Sequence, residues 1–152
     1  MVESNQTMNK EDIRWIQRFQ NYKNALSKSS EVATRGDVDT LSELEKEGMI
    51  QRFEYTFELA WKTLQDLLEY KGYRDIAGPN PVLEQALLDG YIVDEKLWRS
   101  MTKSRELTSH TYNSDIADDI AEKIVSDYFD LLKELELKLE HERGGKQLNL
   151  FL

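Results

Sequence analysis

The residues best suited to chemistry lie between Lys103 and Asn113, where Arg105, His110, Tyr112 and the hydroxyls of Ser104, Thr108, Ser109 and Thr111 fall in one short stretch. A guanidinium is always charged and its planar fork suits phosphate, an imidazole titrates near neutral pH, and a phenol becomes a nucleophile once a base or metal activates it. Such a set can bind an anion and move a proton. Spacing imposes a condition: in unbroken helix Arg105 and His110 would point about 140° apart, so they converge only if the helix stops near Ser109. Asn113, Ser114 and Asp115 supply the start signal of a new helix just beyond. Arg105 also lies on the line Trp98, Met101, Thr108, which points inward, and an inward guanidinium needs an anionic partner. The structural alternative is therefore an ion pair of Arg105 with Glu54 or Glu58, and a histidine that merely caps a helix.

The other candidates carry less. His141, in Glu140-His141-Glu142 near a helix end, reads as a solvated side chain, and two histidines give little material for a metal site or a Ser-His-Asp triad. Asp37-Val38-Asp39 has the spacing of the paired magnesium-binding aspartates of nucleotidyltransferases, but it precedes a helix and lacks both the strand and the Gly-Ser turn, so capping is its expected role. Asn5-Gln6-Thr7 fits a glycosylation sequon, yet no secretory segment opens the sequence to deliver it. No metal and no cofactor are expected.

The elements that must position Arg105, His110 and Tyr112 are helical. The 152 residues, 17.8 kDa, are one domain's worth of chain, able to bury about 68–70% of the unfolded surface. Seven glycines and two prolines are few for a fold of many short strands. Cysteine is absent, which excludes disulfides and thiolate sites and fits a cytoplasmic setting. With 39% hydrophobic and 32% charged residues the chain is too apolar for disorder and too interrupted by charge for a membrane span. A net charge of −9 repels polyphosphates at long range, so neither DNA nor a general nucleic-acid coat is an expected partner, although a local site can still hold RNA.

Hydrophobic residues recur every three or four positions. A first helix is predicted from Asn9 to Arg35-Gly36 with the line Ile13, Ile16, Phe19, Leu26, Ala33. A second begins at a capping box, Ser42 and Glu45, and carries Ile50, Phe53, Phe57, Ala60, Trp61, Leu64, Leu67 and Leu68 to Lys71-Gly72. Residues 73–80 form a loop, Asn80-Pro81 opens a short helix ending at Asp89-Gly90, and Asp94 caps the piece that carries Leu97, Trp98 and Met101. A last helix from Asn113 or Ser114 aligns Ile116, Ile120, Ile124, Tyr128, Leu131, Leu135 and Leu139 and should end at Gly144-Gly145. Such stripes can be buried only against each other, which predicts an all-α, antiparallel up-and-down four-helix bundle over 9–143, a disordered segment 1–8 and a flexible tail 144–152. The wide stripe of the second helix, with Tyr55, Phe57, Trp61 and also Trp98, suggests that some aromatic surface is covered in a dimer.

Arg105 to His110, extended to Tyr112, makes an R-x4-H-x-Y pattern that resembles the signature of the HEPN family of small helical proteins. Leu107-Thr108-Ser109-His110-Thr111-Tyr112, together with the run from Gln51 to Lys62 (QRFEYTFELAWK), is more narrowly similar to the nucleotidyltransferase substrate-binding proteins of that family. The resemblance spans most of residues 9–143. It implies a bundle that dimerises with the R-x4-H segments facing across the two-fold axis, beside a separate minimal nucleotidyltransferase, as a two-component transferase or toxin–antitoxin module. In HEPN ribonucleases the arginine stabilises phosphate charge and the histidine moves a proton, without metal; Arg105 and His110 would be the catalytic or nucleotide-binding pair. In some relatives the tyrosine, here Tyr112, receives a nucleotidyl group that silences the nuclease. One departure is Glu106, where HEPN nucleases usually carry Asn, Asp or His after the arginine. Two readings follow: a nucleotide-binding regulatory subunit without nucleotidyltransferase activity of its own, or a metal-independent endoribonuclease that acts on RNA.

Overall fold

A computed structural model describes residues 10–34 and 37–151, with side chains as far as residue 144. Segment 1–8, the sequon, Asn9 and Arg35-Gly36 lie outside the described residues. The order is α1 (Lys10–Ala33), a 3-10 turn (Val38–Thr40), α2 (Glu43–Tyr70), α3 (Pro79–Leu88), α4 (Glu95–Leu107), a 3-10 turn (Thr108–His110), α5 (Ser114–Lys123), a π turn (Ile124–Tyr128) and α6 (Phe129–Phe151), with no strand among the described residues.

Pairings across the helices fix the directions. Arg18 of α1 meets Asp66 of α2 at 2.8 Å while Arg52 of α2 reaches the carbonyl of Lys28, so α1 and α2 are antiparallel. Lys46 meets Asp118, Phe53 stacks on Tyr128, and Lys71 meets Glu142, so the long α5–α6 rod runs parallel to α2. Ser104 of α4 touches Tyr128, and Trp98 lies by Leu131 and Leu135, so α4 runs against that rod. The result is an antiparallel four-helix bundle in up-and-down order, with α3 an extra short helix in the α2–α4 crossover.

The capping box at Ser42 and Glu45 forms with both bonds present, and Gly72, at φ +110°, makes the left-handed turn that closes α2. Three local expectations are corrected. The buried face of α1 is Trp15, Phe19, Tyr22, Leu26, Ser29 and Ala33, whereas Ile13 is 41% exposed; steps of four and three from Trp15 keep one face inward, and Ile13 falls off it. The N-cap of α3 is Gly78, not Asn80, with Pro79 in the first turn; proline's fixed φ suits N1, and Gly78 at φ +88° turns the chain into it. The last helix continues through Gly144-Gly145 to Phe151, because a helical glycine costs only about 1 kcal/mol and need not end a helix.

The π turn has a sequence cause. Regular helix would swing the line from Ile116 to Tyr128 about 120° around the axis. The Phe129 N–H instead donates to the Ile124 carbonyl, which takes up the drift, and Ile120, Ile124 and Tyr128 are all buried. One bundle takes up most of the aromatic bulk: Trp15, Phe57 and Trp98 are at most 2% exposed, Trp61 is half-buried, and among the described residues Tyr55 and Tyr112 are the exposed aromatics. The expected aromatic surplus for a second subunit is therefore small.

Candidate functional site

Helix α4 stops at Leu107, as convergence of the R-x4-H segment requires, and hydroxyls make the stop. Thr108 donates to the Arg105 carbonyl at 2.7 Å, Ser109 to Glu106 at 3.3 Å, and Thr111 to Thr108 at 3.3 Å. Asn113 then caps α5, its side-chain oxygen accepting from Asp115 N–H at 2.9 Å and Ile116 N–H at 3.4 Å. Short side chains that bond their own backbone are what a corner between two helices needs.

Two separate units result. In the first, half-buried Arg105 donates through Nη1 to Thr108 Oγ1 at 3.1 Å and forms ion pairs with Glu58, 3.2 Å from Nη2, and with Glu54 at 4.0 Å. Its Nε is buried and has no hydrogen-bond partner among the described residues. Glu58 is held on its other oxygen by Trp61 Nε1 at 3.2 Å and by Lys62 at 3.9 Å. The ion pairing considered from the sequence therefore forms, and with both glutamates. In the second unit, exposed His110 and Tyr112 meet edge to face, ring centroids 5.8 Å apart, with Nδ1 3.1 Å from the phenolic oxygen. Tyr112 is 84% exposed. No hydrogen bond or ion pair joins Arg105 to His110 among the described residues, and Glu106 is exposed beside them.

Beneath Arg105 lies a polar cluster that sequence reasoning missed. The hydroxyl of buried Tyr128 is 2.7 Å from both Ser100 Oγ and Ser104 Oγ, and its ring stacks on Phe53 at 5.5 Å. The signal available was two serines one turn apart on the inner face of α4, facing a tyrosine in an otherwise aliphatic line. The remaining expectations fall as the sequence places them: His141 is exposed, and Asp37 caps the first 3-10 turn by accepting from Asp39 N–H. Among the described residues no group of three or more carboxylates or histidines could hold a metal, and no helix is long and apolar enough to cross a membrane.

The family model described as nucleotidyltransferase substrate binding protein like matches residues 17–141, a span that includes Arg105, His110 and Tyr112. The chain belongs to this family. A stretch of 74 residues is 35% identical to a protein of Haemophilus influenzae named probable ribonuclease HepT, covering 46% of this chain and about half (51%) of that relative's length. The nucleotidyltransferase substrate-binding fold is also similar to a crystal structure of a protein from Thermus thermophilus, with TM-score 0.67 and 36% identity over 75% of this chain and 94% of that one. The family assigned from the R-x4-H-x-Y pattern and the second-helix phrase is thus the one that the match over residues 17–141 supports.

Proposed function

We propose that this chain is the nucleotide-binding, regulatory subunit of a two-component module, acting with a separate minimal nucleotidyltransferase, and that it presents Tyr112 to that partner. The observation that carries the reading is the 84% exposed Tyr112 with its hydroxyl 3.1 Å from His110 Nδ1. A phenol in that position can enter another protein's active site, and the imidazole is placed to take its proton. The oxygen would bond to the α-phosphorus of ATP as pyrophosphate leaves, with magnesium supplied in the partner's site. Arg105 would bind the nucleotide's phosphate, and a homodimer would bring two such corners together. Co-incubation with the nucleotidyltransferase, magnesium and ATP should add one adenylyl mass to the wild type and none to Tyr112→Phe. No adduct, or one that persists in Tyr112→Phe, would sink the assignment. Sedimentation at micromolar concentration should give twice 17.8 kDa; a clean monomer would remove the shared-site arrangement.

The second reading, a metal-independent endoribonuclease of a toxin–antitoxin pair, draws on the similarity to a probable ribonuclease and on the intact Arg105 and His110 pair. Two carboxylates, Glu54 and Glu58, stand against Arg105 and weigh against a polyanion there. RNA cleavage in EDTA that disappears in His110→Ala would favour the nuclease.

A further inference from the structure

We propose that Glu58 makes the Arg105 site select nucleoside phosphates with free ribose hydroxyls over bare phosphate. The inference rests on the reading above that Arg105 takes the phosphate. The Glu58 carboxylate occupies the guanidinium edge at 3.2 Å, where a phosphate oxygen would bind. Swinging aside is opposed by Trp61 Nε1, which donates to the other oxygen at 3.2 Å, and more weakly by Lys62 at 3.9 Å, both on its own helix. An incoming phosphate therefore competes for Nη2 with a carboxylate that is tied to its own helix.

The exchange leaves Glu58 Oε1, on a side chain one-third exposed, without its cation and next to a new negative charge and to Glu54. Bare phosphate brings charge and little to satisfy that oxygen. A nucleotide brings the same phosphate and a ribose whose hydroxyls are donors, and a carboxylate accepting from ribose hydroxyls is a recurring way to hold a nucleoside. Phosphate on Arg105 with a ribose hydroxyl on Glu58 leaves both partners satisfied; either contact alone leaves one group unpaired.

Titration calorimetry with AMP, 2′,3′-dideoxy-AMP and inorganic phosphate tests this without the partner protein. Wild type should bind AMP about tenfold tighter than either other ligand, the scale of one charge-assisted hydrogen bond. Glu58→Gln, checked for an unchanged thermal midpoint, should bind inorganic phosphate about tenfold tighter and shrink the AMP to dideoxy-AMP ratio several-fold. Equal affinity of wild type for AMP and dideoxy-AMP, with both weakened by Arg105→Ala, overturns the role of Glu58 and leaves the phosphate reading standing. Weaker phosphate binding in Glu58→Gln also overturns it, since Glu58 would then serve only to hold Arg105 in place. Ligands indifferent to Arg105→Ala overturn the phosphate reading itself.

Discussion

The seam between α2 and the α5–α6 rod and the corner between α4 and α5 lie one layer apart and use their side chains in opposite ways. In the seam Phe53, Phe57 and Tyr128 are at most 2% exposed, and their energy comes from apolar area removed from water and close packing. In the corner the hydroxyls of Thr108, Ser109 and Thr111 are spent on backbone carbonyls, while His110 and Tyr112 face solvent. The two meet at consecutive residues: Ser104 is tied to Tyr128 in the buried layer, and Arg105 turns to Glu58 above it. The difference teaches that stability and chemistry are kept on separate residues here, so each can be altered with little effect on the other.

The largest expected effect is in the seam. Phe57→Ala should cost about 3–5 kcal/mol in urea unfolding, the range for emptying a buried aromatic site, whereas Tyr112→Ala should stay within about 0.5 kcal/mol. Comparable losses for the two would abolish the distinction. Next is an alkaline test of the interior. Burial, and secondarily the charge of Glu136, push the Tyr22 phenol well above its ordinary value, and its hydroxyl donates to the Leu132 carbonyl. A raised value means that the protonated form is favoured in the folded state. Its contribution is full below about pH 10 and is lost as pH rises, at up to about 1.4 kcal/mol per pH unit. Tyr22→Phe should flatten this slope in unfolding curves above pH 10, and an unchanged slope would assign alkaline loss elsewhere. A smaller loss than that of Phe57→Ala belongs to the cap of the corner: Asn113→Ala should cost about 1 kcal/mol and speed amide exchange at Asp115 and Ile116. Loss of the His110 and Tyr112 pairing without any stability change would sharpen the contrast further.

Much of this was legible from residue types. The capping box of Ser42 and Glu45, the closing turn at Gly72, the Asn113 cap and the stop of α4 beside Thr108 are all local, so a few neighbouring residues determine them. The face of α1 was misread at Ile13 because two helical lines pass close together and only packing chooses between them. The start of α3 moved to Gly78 because a proline pair offers two places for N1.

At the candidate site the sequence by itself determined the membership of the R-x4-H-x-Y segment, the end of α4 within it and the family. Only the tertiary structure decided what Arg105 touches. Two glutamates one turn apart on α2 were both candidates in the sequence, and the bundle brings Glu58 to 3.2 Å and Glu54 to 4.0 Å. It also decided that Tyr128 reaches Ser100 and Ser104, because a π turn, not a regular one, sets the phase of the long helix. Local hydrogen bonds close within a few residues and can be read along the chain. The contacts of Arg105 and Tyr128 depend on the axial register of separate helices, which the packing of the whole core sets.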